Sequence, residues 1–384
     1  MKITVPTIDF GTSKIVTMVA QSNGERCDIV GSGAVPYSGY LQDGWNNPDE
    51  IRDVIRTAID QAQKTGNCRI HELNVGVPGM FTRVIVKEVH VSLTGPDPHV
   101  TAQDVRACFK LAEESGGDRI IHSAPAWFRV DDGKKTLSPV GIKGRELSAM
   151  IALVTADKYF IDDITYRLRD MDIEPREFYS TVAGEATYAL SQDERDKTAM
   201  LIDIGYLCTD VMVMEGDALI FHKCLDIGGG HISADIAEQL NIPFPFVEEK
   251  IKQTYSFNST NQDETYVIPA TEDEPARTVR RDEVTPIIEA KVEEIAEAIN
   301  KALEEGGVKL GKWSNVYLTG GGLILNKGGK DFLAGKLHRI IREAQRTNNK
   351  MTSHVFSSAV GLTILVVTTQ EEQKAPEGGA KGLF

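Results

Sequence analysis

Two short stretches set an aspartate two residues before a glycine at the end of an apolar strand: VPTIDFGTSKIV, with Asp9 and Gly11, and AMLIDIGYLCTD, with Asp203 and Gly205. In each, the chain then turns sharply into a second apolar run. A tight turn lined by glycine exposes backbone N–H groups that can hold phosphate oxygens, while a carboxylate beside it can hold a hydrated metal ion. One such turn would be an ordinary strand end. Two with matching flanks favour a clamp on a phosphate chain.

Further glycines extend that chemistry. Gly228, Gly229 and Gly230 stand immediately before a helical pattern carrying Ile232, Ile236 and Leu240, where free backbone donors at a helix start suit a phosphate. Gly320, Gly321 and Gly322 follow a short strand, 315–319, and give a turn without side chains against which an adenine or sugar could lie. Gly306 to Lys312 matches G-x-x-x-x-G-K, yet Trp313 stands where a magnesium-binding Ser or Thr is required. A helix also precedes it in place of a strand, so it is rejected as a P-loop.

The elements that must position these turns repeat. Three apolar runs, 3–10, 14–20 and 28–34, precede a helix, and 199–204, 211–214 and 219–224 do so again. A duplicated β-β-β-α unit follows. In the first copy, Asn47-Pro48-Asp49-Glu50 offers a cap, a first-turn proline and a capping-box acid; Ile51, Val54, Ile55, Ala58, Ile59 and Ala62 then share one face, and Gly66 ends the helix. A strand at 72–77 completes the unit. From 82 to 156 the pattern changes to alternating residues 84–93, a helix from Thr101 through Ala112, and strands around Ile120, Phe128 and Met150, which predicts a small α+β insertion. Ile161, Ile164 and Leu168 repeat helically; a polar, irregular stretch at 256–275 precedes a long helix with Ile288, Val292, Ile295, Ile299 and Leu303 in one stripe.

Composition narrows the function classes. A chain of 384 residues, 41% hydrophobic and 26% charged, has room for two or three domains. Its net charge of -14 repels nucleic acid and anionic lipid. The five cysteines form no C-x-x-C pair and suit buried thiols in a reducing cytosol. His90 and His122 lie in strand-like runs without ligand spacing and are read as structural. The longest apolar run, near 360–367, is far short of the roughly 20 residues of a spanning helix, so a cytoplasmic protein is expected.

The motifs IDFGTSK, LIDIGYLCTD and VYLTGGGL resemble the phosphate and adenosine loops of the actin-like and sugar-kinase-like nucleotide-binding fold. DIGGGHISADIAEQL followed by EEKIKQ resembles the stretch over the nucleotide. RIIHSAPAWFRVDDGKKTLSPVGIKGRELSAMIALVT is more specific and resembles the insertion subdomain of the bacterial cell-division FtsA family. That resemblance implies an α/β fold of duplicated, ribonuclease-H-like actin-type domains with a nucleotide cleft between them. It assigns 1–81 and 157–197, with about 355–373, to the first core; 82–156 to the insertion; 198–227 and 310–354 to the second core; 228–309 to the subdomain over the nucleotide; and 374–384 to a flexible tail.

The same resemblance implies Mg2+ and ATP as ligands. Asp9 and Asp203 would hold the metal, while Gly11, Thr12, Ser13, Lys14, Gly205, Tyr206 and Gly228 to Gly230 would meet the phosphates. Glu249 and Lys252 would contact ribose and base, Gly320 to Gly322 the adenosine, and Glu185 would orient a water. It further implies self-association into filaments and a link between the FtsZ ring and the cytoplasmic side of the membrane at the division septum. Tyr206 and Leu207 stand where the family has more glycine, so ATP turnover is expected to be slow or absent. ARTVRRDEVTPIIEAK resembles the stretch that receives the FtsZ tail: Arg277, Arg281 and Lys291 beside Ile287 and Ile288 would suit an acidic, partly apolar peptide. The ending TTQEEQKAPEGGAKGLF offers only Leu383 and Phe384 as apolar anchors, so membrane contact is expected to be weak or to run through another protein. The rival readings are a small-molecule kinase of the same fold and a nucleotide-independent scaffold.

Overall fold

Apolar alternation makes paired strands, and Ile3–Phe10 and Lys14–Ser22 zip together in one antiparallel register from Ile3↔Ser22 to Phe10↔Ile15. Five strands form the first sheet, in the order Glu174–Ser180, Glu72–Val77, Ile3–Phe10, Lys14–Ser22, Cys27–Pro36. A second five-stranded sheet repeats the meander: Ala218–Leu225, Thr209–Glu215, Ala199–Ile204, Asn315–Thr319, Ile341–Glu343. The computed structural model describes residues 3–374 except 43, 115, 118, 262, 271–274, 312–313 and 345–352. Lys312, Trp313 and the tail with Leu383 and Phe384 lie outside the described residues. Two units divide the chain: Met1–Leu201 with Met212–Lys223 and Gln345–Phe384, and Ile202–Val211 with Cys224–Ala344.

In the first unit, the helix Ile51–Gly66 buries the six apolar residues of the expected face. Each isoleucine or valine of that face, fully buried, contributes roughly 1.5–3 kcal/mol. Its start differs from the expectation. The helix begins at Ile51 with Glu50 as cap residue and no side-chain cap bond; Glu50 instead accepts from the Ser38 amide at 2.8 Å. The left-handed residue ending it is Asn67, one beyond Gly66. The other sheet face is covered by the helix Ser357–Lys374, whose Ala359, Val360, Leu362, Val366 and Val367 pack on Val5, Val16, Met18 and Ala20. The longest apolar run of the sequence is thus a core helix. Among the described residues no helix is long and apolar enough to cross a membrane.

The insertion forms its own three-stranded antiparallel sheet, ordered Thr82–Ser92, Glu146–Ala156, Ile120–Val130, with the helix Ala102–Glu114 packed on it. Ile120 and Phe128, expected on separate strands, share one strand whose register shifts at Ile120/His122 and Pro125/Trp127. In the helix Lys158–Arg169 the buried residues are Phe160, Ile164 and Leu168, and Ile161 packs only partly.

The second unit carries the helices Gly229–Leu240 and Arg281–Glu305. The long helix buries the expected stripe and, with it, Val284 and Ile287. The stretch expected to be irregular contains a strand, Thr265–Ile268, paired antiparallel with Arg277–Arg280. The G-x-x-x-x-G-K match follows a helix and precedes a strand, the reverse of a P-loop.

Candidate functional site

Each unit holds one acid-glycine turn. In the first, Gly11 donates its amide to the Lys14 carbonyl at 3.1 Å, which closes the turn. The Tyr37 hydroxyl donates to the Gly11 carbonyl at 2.8 Å and the Tyr40 hydroxyl to that of Phe10 at 2.9 Å. Asp9 is buried: Ser358 donates to its Oδ2 at 2.8 Å and Thr181 to its Oδ1 at 3.4 Å. Burial pushes its carboxyl above the ordinary value, against the opposing effects of Ser358, Lys14 and Thr181. Thr12 is buried, and Ser13 and Lys14 are half-buried, with the Lys14 ammonium 5.2 Å over the Phe356 ring. Glu185 is buried on the helix Thr181–Ala189, one turn beyond Thr181 and therefore on the same helical face as the residue that donates to Asp9.

The second turn repeats the closing bond of the first, with the Gly205 amide donating to the Cys208 carbonyl at 2.9 Å. Around it, two glycine turns interlock with the hairpin backbone. Gly322 donates to the Ile204 carbonyl at 2.7 Å, Gly229 to Gly205 at 2.9 Å and Gly230 to Tyr206 at 2.7 Å. The amides of Gly229 and Gly230, which the sequence offers as free phosphate donors, and that of Gly322 in the expected adenosine turn are engaged inside the fold. The glycines are needed because backbones touch: a Cβ on Gly229 would overlap Gly322, and one on Gly320, at φ +86°, would overlap the Asp203 carboxylate. The Tyr206 ring lies against Gly230, where a Cβ would come within 3.0 Å of its Cε2 and Cζ. Thr209 anchors the assembly by donating to the Ile227 carbonyl at 2.7 Å.

Beside these turns runs a π-helical turn, Val247–Lys252. Glu249 on it is exposed, whereas Lys252 is buried, bonded to Glu248 at 3.2 Å and 5.8 Å from the Tyr206 ring centroid. Burial lowers the Lys252 ammonium pKa, against the pull of Glu248. Asn326 holds the turn from outside, donating to the carbonyls of Lys252 at 2.6 Å and Tyr255 at 3.1 Å.

The basic segment is built differently from the sequence expectation. Arg281 is buried, bonded to Glu264 at 3.0 Å and the Ser256 carbonyl at 2.6 Å, and stacked 4.2 Å from the Tyr255 ring. Lys291 pairs with Asp235 at 2.9 Å and Glu294 at 2.6 Å, and Arg277 donates to the carbonyls of Leu240 and Asn241. Ile287 and Ile288 face inward. The exposed face belongs to the strand pair: Thr265, Val267, Thr278 and Arg280 alternate with buried Tyr266, Ile268 and Val279. Sequence reading missed Ser358, Thr181, Glu248 and Asn326. No local pattern marks them, because each meets its partner only through tertiary packing.

Residues 200–361 match the family model described as cell division protein FtsA, and residues 79–155 match that of the SHS2 domain inserted in FtsA. The cell division protein FtsA of Pseudomonas aeruginosa is 24% identical over 376 residues, covering 95% of this chain and 89% of that protein. That of Bacillus subtilis is 26% identical over 306 residues, covering 78% and 70%. Among solved structures, the PilM-PilN type IV pilus biogenesis complex matches with a TM-score of 0.64 at 16% identity over 95% of this chain and 99% of that one. MreB 5 of Spiroplasma citri bound to AMPPNP matches at 0.57 and 11% identity, over 97% and 98%. The fold is therefore the actin-like α/β fold, carrying an SHS2 insertion.

Proposed function

This chain belongs to the FtsA family of cell-division proteins, and from that premise we propose that it binds Mg-ATP, polymerises, and links the FtsZ ring to the cytoplasmic face of the membrane at the septum. The observation carrying the nucleotide part is the repeated turn: Gly11 to Lys14 and Gly205 to Cys208 close with the same bond, each two residues after an aspartate. The donor set fits the ligand, with hard carboxylates at Asp9 and Asp203 for hydrated magnesium and small or polar residues at Gly11, Thr12, Ser13 and Lys14 for phosphate. Gly320 to Gly322 would receive adenosine, Glu249 and Lys252 would border it, and Glu185 would orient a water. When bound, ATP would supply a polyanion and act as a conformational ligand.

FtsZ docking is proposed on the exposed face of the strand pair, Val267 with Arg280, while Arg277 and Arg281 tie its strands to the fold and Lys291 is paired with Asp235 on a neighbouring helix. Membrane contact in this reading is weak or runs through another protein, since a net charge of -14 repels anionic lipid.

A second reading, a nucleotide-independent scaffold, is favoured by Tyr206 lying on Gly230 and by the engaged glycine amides. Sedimentation and FtsZ pull-down with and without Mg-ATP decide between them. Filament former predicts nucleotide-dependent pelleting; pelleting and capture indifferent to ATP would sink the nucleotide reading.

A further inference from the structure

At the base of the second hairpin, three ligating side chains converge. The Sγ atoms of Cys208 and Cys224 and a carboxylate oxygen of Asp210 all lie within 4.8 Å of one another. Cys208 closes the turn, Asp210 follows two residues on in the strand Thr209–Glu215, and Cys224 comes from the strand Ala218–Leu225. Cys208 is buried and the other two are half-buried, so the group is screened but not sealed. The backbone holds it firmly, through the Gly205 amide on the Cys208 carbonyl at 2.9 Å and the Thr209 hydroxyl on the Ile227 carbonyl at 2.7 Å.

Two sulfurs and one oxygen form a borderline-soft donor set, unsuited to magnesium or calcium and suited to zinc. A tetrahedral ion about 2.3 Å from each sulfur sets the sulfurs roughly 3.8 Å apart, inside the spacing these side chains already keep. We propose that Cys208, Asp210 and Cys224 bind one zinc-class divalent ion, with its fourth position open to water. Binding exchanges the ion for two thiol protons: both thiols become thiolates, and the two protons leave to solvent. Affinity should therefore rise steeply with pH. An ion on Cys208 would also brace the turn whose amide bond defines the second half-site, so the site is placed to set how readily that turn yields. It requires neither nucleotide nor FtsZ.

The test uses the full chain, stripped of metal and kept reduced with a phosphine. Titration with Co2+ should give one equivalent of a thiolate-to-cobalt absorption in the near ultraviolet, displaced by Zn2+. Cys208→Ser and Cys224→Ser should each abolish it, and Asp210→Asn should weaken binding at least tenfold. Cys27→Ser with Cys68→Ser, in the other unit, should leave it intact. X-ray absorption at the zinc edge of the wild type needs no variant and should show two sulfurs in the first shell. Absence of the band, a first shell without sulfur, or a band that survives both Cys208→Ser and Cys224→Ser overturns the site. Unchanged affinity in Asp210→Asn overturns the three-ligand assignment.

Discussion

Gly320 stands so close to Asp203 that a methyl group on the glycine would overlap the carboxylate Oδ1. The strand Asn315–Thr319 thus delivers a turn, at φ +86°, that seats the acid of the second hairpin. Asp203→Ala removes the charge and keeps the turn, so the fold should persist while ATP affinity falls at least tenfold, about 1.4 kcal/mol. Gly320→Ala adds left-handed strain of roughly 1–3 kcal/mol to the overlap, so it should lower both melting temperature and affinity. Calorimetry showing wild-type ATP binding by Asp203→Ala would rule out this aspartate as the metal-holding acid.

Asp9 carries the opposite balance. Its carboxyl titrates above 3.8 because it is buried. The unfolded chain ionises first as pH rises, so the stability contributed by this group is present below 3.8 and lost as pH climbs through the raised value. Asp9→Asn should therefore melt higher than wild type at pH 7, converge with it in acid, and bind Mg-ATP poorly. Scanning fluorimetry across pH checks the sign; a lower melting temperature at pH 7 would show that the hydrogen bonds from Ser358 and Thr181 outweigh desolvation.

Tyr206 rests on Gly230, at the start of the helix Gly229–Leu240 where a phosphate would approach. Phosphoryl transfer depends on preorganised donors, and at that helix start this ring would stand in the way of a phosphate. Wild-type protein should turn over ATP slowly or not at all, and Tyr206→Gly should bind ATP more tightly while losing some stability with the packed ring. Rapid multiple turnovers by pure wild-type protein would refute the obstruction.

The backbone plan was legible because it is written in local patterns. Glu72–Val77 emerges with the bounds its alternation predicts, and the Ile51–Ala62 face is the buried one. What escaped reading depends on partners distant in sequence. Glu50 has capping-box spacing yet binds Ser38, and Arg281 looks like a surface cation yet lies under Tyr255 and Glu264. The two acid-glycine turns were legible, but not the use of the neighbouring glycine amides: Gly229 and Gly230 are consumed by Gly205 and Tyr206, a pairing no spacing rule encodes. Thr265–Ile268 was hidden by its shortness amid polar residues.

In the insertion, burial of His122 lowers its pKa to about 4. The unfolded chain takes up that proton near 6.5 and the folded one does not until about 4, so stability is lost as pH falls through that window. Wild-type melting temperature should drop between those values, and His122→Gln should flatten the drop. Parallel profiles for the two proteins would show that another group carries the acid sensitivity.

Arg280 and Arg281 are neighbours with opposite duties, and they separate docking from folding. Arg280 has 63% of its side chain exposed and pairs with Asp282 beside it; Arg281 has 7% exposed and holds Glu264. Reversing Arg281 would leave the half-buried Glu264 carboxylate without its partner and place a second carboxylate at a buried position, at about 3–5 kcal/mol, so Arg281→Glu should unfold earlier whatever it does to binding. Arg280→Glu should stay within about 0.5 kcal/mol of wild type in stability. If an acidic FtsZ tail docks on the ribbon face formed by Val267 and Arg280, that variant should bind the tail peptide several-fold more weakly. Its remaining affinity should also depend less on salt, because the screened attraction has been removed. Val267→Ser should weaken binding without changing the salt slope, since it removes apolar contact alone. Fluorescence anisotropy of the labelled tail at several ionic strengths reads both quantities, and wild-type affinity and slope in Arg280→Glu would move the docking surface away from this strand pair.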